Sequence, residues 1–103
     1  MAVVHLSKEN FNEQVLESKG FVLVDFWATW CAPCMMLAPF IEELAAEESD
    51  IVIGKVDIDE SQELAIQYRV ASIPTLILFQ DGQEVKRTSG FMPKDAVKTW
   101  IRG

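Results

Sequence analysis

The sequence predicts an α/β domain built on a central mixed five-stranded sheet, with four helices on its two faces. Three observations carry that prediction. Phe21–Trp27 is a near-continuous apolar run of strand length, and Ile51–Ile58 reads as another buried strand. The stretches between and around them repeat their apolar residues at helical spacing. Late in the chain, two strand-like segments are separated by little more than Asp81-Gly82, a hairpin signal. Strands alternating with helices imply parallel neighbours joined by right-handed crossovers, and the late hairpin adds an antiparallel edge.

Taken in order, Val3, Val4 and Leu6 predict a short first strand. Ser7 reads as an N-cap, with Glu9 and Asn10 in the first turn and Phe11, Val15 and Leu16 as the apolar stripe of a helix that ends by Gly20. Phe21–Trp27 follows as a central strand. After the cysteines, Met36, Leu37, Phe40, Ile41, Leu44 and Ala45 mark the core-facing stripe of a helix over Met35–Glu48, and Pro39 inside it predicts a kink. Ile51–Ile58 is the next strand, and Asp59 or Ser61 caps a helix reaching about Tyr68. Thr75–Phe79 and Glu84–Thr88 form the hairpin. Pro93 fits the first turn of a last helix whose apolar positions are Ala96, Val97, Trp100 and Ile101. The order is β-α-β-α-β-α-β-β-α.

A length of 103 residues, half of them apolar, predicts one domain, residues 1–103, with a real core. Sixteen acidic residues against nine basic give a net charge of −7, which argues against a nucleic-acid partner, because phosphates would go unneutralised. The acidic residues are spread as solvated faces rather than gathered in a tail. The apolar runs are too short to cross a bilayer, and no basic n-region precedes an apolar stretch, so no membrane partner and a cytoplasmic location are the expectations.

Trp30-Cys31-Ala32-Pro33-Cys34 holds the only two cysteines, at a spacing that can close a small disulfide ring without moving the backbone. The pair lies between a predicted strand and a predicted helix. A thiolate at a helix start sits beside unsatisfied N–H groups and the positive end of the helix dipole, which favours the ionised form. In a reducing compartment such a pair is catalytic or metal-binding rather than structural. A zinc site needs about four ligands, and His5 is the only histidine, so a metal is not expected. Asp25 is a carboxylate inside an apolar strand, where desolvation raises a pKa, so it reads either as a proton acceptor or as half of a structural ion pair. Lys55, in the neighbouring strand, either tunes that carboxylate or snorkels to the surface.

Asp25-Phe26-Trp27-Ala28, Trp30-Cys31-Ala32-Pro33-Cys34, Pro39, Lys55, Ile73-Pro74-Thr75, Gly82 and Gly90 together resemble the thioredoxin family over essentially the whole chain. The resemblance implies the thioredoxin fold and a protein-disulfide reductase that works as a redox carrier. It implies Cys31 as the exposed nucleophile, Cys34 as the resolving thiol, and Asp25, tuned by Lys55, as the proton acceptor. It also implies a cis Ile73–Pro74 bond and a docking surface of Trp30, Ala32, Pro33, Ile73, Pro74, Gly90 and Phe91. Trp27 is expected beneath the site, and Trp100 with the Met36, Leu37, Phe40 stripe in the core. No bound cofactor is implied beyond a redox-active Cys31–Cys34 disulfide. The partners implied are a thioredoxin reductase and disulfide-containing client proteins, met by a monomer. Four positions depart from the family's common pattern: Ala32 stands where glycine is usual, Thr29 and Met35 replace an acidic residue and a lysine, and Phe91 is bulkier than usual. The Ala32 change predicts a modest shift in redox poise within the same reaction class, because alanine favours helix over glycine by about 1 kcal/mol. A binding role on the same surface, or net oxidation or isomerisation, would keep the fold and the motif.

Overall fold

A computed structural model describes residues 2–103. Its five strands are β1 (Val4–Leu6), β2 (Phe21–Trp27), β3 (Ile51–Asp57), β4 (Thr75–Gln80) and β5 (Gln83–Ser89). The four helices are α1 (Asn12–Leu16), α2 (Ala32–Glu47), α3 (Gln62–Gln67) and α4 (Lys94–Arg102). The sheet order is β1-β3-β2-β4-β5, with β1, β3 and β2 parallel and β4 and β5 antiparallel. The predicted mixed sheet and the element order are therefore those observed.

Period-two alternation divides β2 between two cores. Leu23 faces α2 and α4, joining Leu37, Ile41, Leu44, Ile53, Leu76, Val97 and Ile101. Val22, Val24 and Phe26 face the other way, with Phe11, Val15, Val56, Leu64, Ile77 and Phe79. Ion pairs fasten α4 to the α2–β3 region: Lys94 to Glu43 and Glu47, and Arg102 to Glu48 and Asp50.

Several boundaries differ from the sequence prediction for identifiable reasons. Ser7 does not cap a helix with its hydroxyl. The Asn10 side chain does the capping work, accepting from the Ser7 N–H at 2.8 Å and donating to the His5 carbonyl. Helix α1 is then a single wide turn, closed by the Glu17 N–H on the Asn12 carbonyl at 2.8 Å. Neither Asp59 nor Ser61 caps α3 through its side chain. The Asp57 carboxylate at the end of β3 accepts from the Asp59 N–H instead, while Ser61 offers its carbonyl to Leu64 and Ala65. Pro93 is one residue outside α4, with its carbonyl accepting from Val97. Helix α2 starts three residues before Met35, so both halves of the cysteine motif belong to its N-terminus, and it continues through Pro39. Met36 is 58% exposed and does not belong to the core stripe, whereas Leu37, four residues before Ile41, is buried with it.

The hairpin agrees closely with its signal. Asp81 and Gly82 have φ of 51° and 82°, the pair of positive values a two-residue type I′ turn requires. The Asp81 carboxylate accepts from the Gly20 N–H at 2.7 Å, which ties the hairpin to the entrance of β2. Gly82 is required twice over, since a Cβ there would lie 2.2 Å from the Leu16 carbonyl oxygen.

Candidate active site

The site forms where β2 ends and α2 begins. Cys31 is the N-cap residue of α2, extended at φ −95° and ψ 107°, with Ala32 and Pro33 in the first turn. Pro33 lacks the N–H that the first turn would leave unsatisfied. The Cys34 N–H, another of those orphan donors, points at Cys31 Sγ at 3.2 Å. The two cysteines are joined as a disulfide with a Cα–Cα distance of 5.2 Å.

Cys31 is less accessible than the sequence implies: it is 5% exposed, against 1% for Cys34. The cover comes from Ala28, Trp27, Ile58 and Ile73, which cluster with the pair. Cys31 Sγ lies 3.7 Å from the Ile73 carbonyl oxygen, and the Ile73–Pro74 bond is cis. Pro74 itself is buried, so it offers backbone rather than a side-chain surface. Its carbonyl accepts from the Gly90 N–H at 2.9 Å, which brings Gly90 to the same loop. Ala32, Pro33 and Gly90 are exposed, and Trp30 is 68% exposed. Phe91 is exposed and leans on Phe40, with ring centroids 6.0 Å apart.

The strands that lead to the site also carry buried charge. Asp25 and Lys55 are directly paired across β2 and β3, on the α2 face that also carries Leu23 and Ile53. Asp25 is 1% exposed, and neither carboxylate oxygen has a hydrogen-bond partner among the described residues. Burial pushes the Asp25 carboxyl up from 3.8 to about 7, with the Lys55 charge pulling against it. Lys55 is buried rather than snorkelling, and its ammonium stands 4.5 Å from the Trp27 ring centroid. Trp27, half-buried, thus touches both the cysteine cluster and Lys55.

Sequence reasoning misses one anchor. The Trp30 indole N–H donates to the Asp59 carboxylate at 2.8 Å, across 29 residues of chain. Asp59 reads locally as a helix cap; the signal for its other role is its place just past the end of β3, which runs parallel beside β2 and so ends beside Trp30. A cavity of about 420 Å³ lies at the opposite end of the sheet, against Phe21, Val85 and Ile101, and the disulfide does not line it.

A family model described as thioredoxin matches residues 2–103. The chain belongs to the thioredoxin family. It is 53% identical over 92 residues to a thioredoxin of Chlamydia caviae, covering 89% of this chain and 88% of that protein. It is 51% identical over 96 residues to a thioredoxin of Staphylococcus aureus, covering 92% and 90%. With Cys31 and Cys34 closed as a disulfide at the helix start, this thioredoxin-family chain is a thiol–disulfide oxidoreductase acting by dithiol–disulfide exchange. Among the described residues no cluster of histidine, cysteine, aspartate or glutamate could hold a metal ion, and no helix is long and apolar enough to cross a membrane.

Proposed function

We propose that this chain, as one domain over residues 1–103, reduces disulfides in client proteins and is re-reduced by a thioredoxin reductase in the cytoplasm, acting as a monomer. The observation that carries the reading is a disulfide at a helix N-terminus, and β2, the strand that leads to it, carries a buried carboxylate with no hydrogen-bond partner among the described residues. In the dithiol form the Cys31 thiolate attacks one client sulfur. A Cys31–client bond forms, the client disulfide breaks, and one client thiolate leaves. Asp25 then accepts the Cys34 proton, and the Cys34 thiolate attacks Cys31 Sγ. The ring closes and the second client thiol is released. Two electrons pass to the client, and the protein ends as the disulfide.

Lys55 holds the charge balance around Asp25. Trp30, Ala32, Pro33, Ile73, Gly90 and Phe91 offer the client an apolar rim, and Pro74 offers backbone. A carboxylate held near pKa 7 is matched to proton transfer near neutral pH, where an ordinary surface aspartate is not. The decisive test is insulin-disulfide reduction coupled to a reductase. Cys31→Ser abolishes turnover, and Cys34→Ser accumulates mixed disulfides with clients. Full activity of Cys31→Ser would sink the mechanism.

A further inference from the structure

A cavity of about 220 Å³ opens between the Arg69–Ser72 loop and the end of β5, next to the site but outside it. Its lining includes Arg69, Ser72, Thr75, Arg87, Thr88 and Ser89. Arg87 is already committed: its Nε and Nη2 donate to Glu84 and its Nη1 to the Tyr68 carbonyl. Thr75 is committed as well, its hydroxyl donating to the Ser72 carbonyl. The Arg69 guanidinium has no hydrogen-bond or ion-pair partner among the described residues, and neither do the hydroxyls of Ser72, Thr88 and Ser89. One free cation and three free hydroxyl donors around a single space are what an anion needs.

Two further observations point the same way. Arg69 has φ 54°, a left-handed conformation in which glycine is the unstrained residue, yet a guanidinium occupies it. The chain as a whole carries −7, whereas the lining of this cavity holds two arginines and no acidic residue. Position supplies the rest. Ser72 directly precedes Ile73, whose carbonyl is 3.7 Å from Cys31 Sγ. An extended segment advances about 3.3 Å per residue, so a client chain joined at Cys31 and laid along Ile73 reaches the cavity within about two to four residues.

We propose that the cavity is a subsite for an aspartate or glutamate side chain of the client, about two to four residues from the cysteine that Cys31 attacks. It rests on the reading that client disulfides are reduced at Cys31, and it adds a sequence preference to that reaction. Arg69 supplies the charge, and Ser72, Thr88 and Ser89 supply hydrogen bonds to the carboxylate oxygens.

The test is a series of disulfide-linked peptides, each with one glutamate and one glutamine, in which the glutamate is walked along the chain at constant net charge. For the unaltered protein, kcat/KM peaks with glutamate at one position within the reach of the cavity, about three- to fivefold above the peptide with glutamate at its far end, and the peak fades at high salt. Arg69→Gln flattens the profile. Arg69→Gly, which suits the backbone at that position, flattens it too and guards against a folding defect. Arg69→Lys keeps a peak, and Lys19→Gln, which removes the same charge at the other end of the sheet, leaves the profile as it was. A flat profile in the unaltered protein, or a peak that survives Arg69→Gln and Arg69→Gly, overturns the subsite. Reduction of the whole series without a peak removes the subsite alone. Failure to reduce any peptide removes the client-reduction reading and the subsite with it.

Discussion

Asp25→Asn separates the cost of the buried carboxylate from every other contribution to stability. Burial raises the Asp25 carboxyl from 3.8 to about 7. At 1.36 kcal/mol per pKa unit, that rise corresponds to about 4 kcal/mol of differential stability. The sign depends on which state holds the proton. Below about pH 4 both folded and unfolded chains are protonated at this position, and no cost arises. Between about pH 4 and pH 7 the unfolded chain releases its proton while the folded chain keeps it, so stability falls as pH rises. Above pH 7 both are ionised and the full cost is in place. Asparagine is close in shape and does not titrate. Its own desolvation cost, about 1–3 kcal/mol, is the same at every pH. The assay is urea unfolding of the oxidised protein and of oxidised Asp25→Asn at intervals from pH 4 to pH 8. The difference in unfolding free energy, variant minus parent, grows by about 4 kcal/mol over that range in favour of the variant. A difference flat to within about 1 kcal/mol would refute the reasoning, because it would mean that Asp25 keeps an ordinary carboxylate pKa in the folded protein.

Two further predictions test the packing. Gly20→Ala and Gly82→Ala impose nearly the same positive φ, 81° and 82°, but a Cβ at Gly20 meets open space and one at Gly82 meets the Leu16 carbonyl oxygen at 2.2 Å. Gly20→Ala therefore costs about 1–2 kcal/mol by urea unfolding and Gly82→Ala distinctly more, and equal costs would remove the clash from the account. Ile41→Ala on the buried face of α2 costs about 2–5 kcal/mol, whereas Met36→Ala, on a residue 58% exposed, stays within about 0.5 kcal/mol; a large loss at Met36 would return it to the core.

The parts of the molecule that can be read from sequence are those governed by local patterns. The two apolar runs form the adjacent parallel strands β2 and β3, and Asp81-Gly82 forms a type I′ turn. In both cases the residue types themselves restrict the backbone. Asp25 is legible because a carboxylate inside an apolar strand conflicts with its surroundings. Asp59 and Met36 mislead for a shared reason. Each residue type suits two local roles, and a distant partner decides between them. Asp59 can cap a helix, but the end of β3 places it against the Trp30 indole. Met36 fits a helical stripe, but α2 lies on the sheet along the line of Leu37, Ile41 and Leu44, which turns Met36 outward. Ile58, which reaches Cys31 from a separate connection, is equally out of reach, whereas the family resemblance already puts Ile73 beside the pair.

In the proposed mechanism the same carboxylate links stability to rate, which gives that mechanism its sharpest test. A proton acceptor for Cys34 must be unprotonated often enough to act and basic enough to take a thiol proton, so a pKa near the working pH serves best. In this fold that pKa comes from desolvation on the α2 face of the sheet, and desolvation is also what makes the ionised protein less stable. Asp25→Asn should therefore move the two properties in opposite directions at pH 7. It raises the unfolding free energy, and it slows the step in which Cys34 releases the client from Cys31. The loss in that step is about 10²-fold, the low end of general-base contributions, and it shrinks as pH rises and more Cys34 ionises without help. Stopped-flow measurement of client release from a preformed mixed disulfide reads this step directly. Release at the parent rate from a variant that is nonetheless more stable would leave Asp25 as a buried charge with no part in the proton transfer.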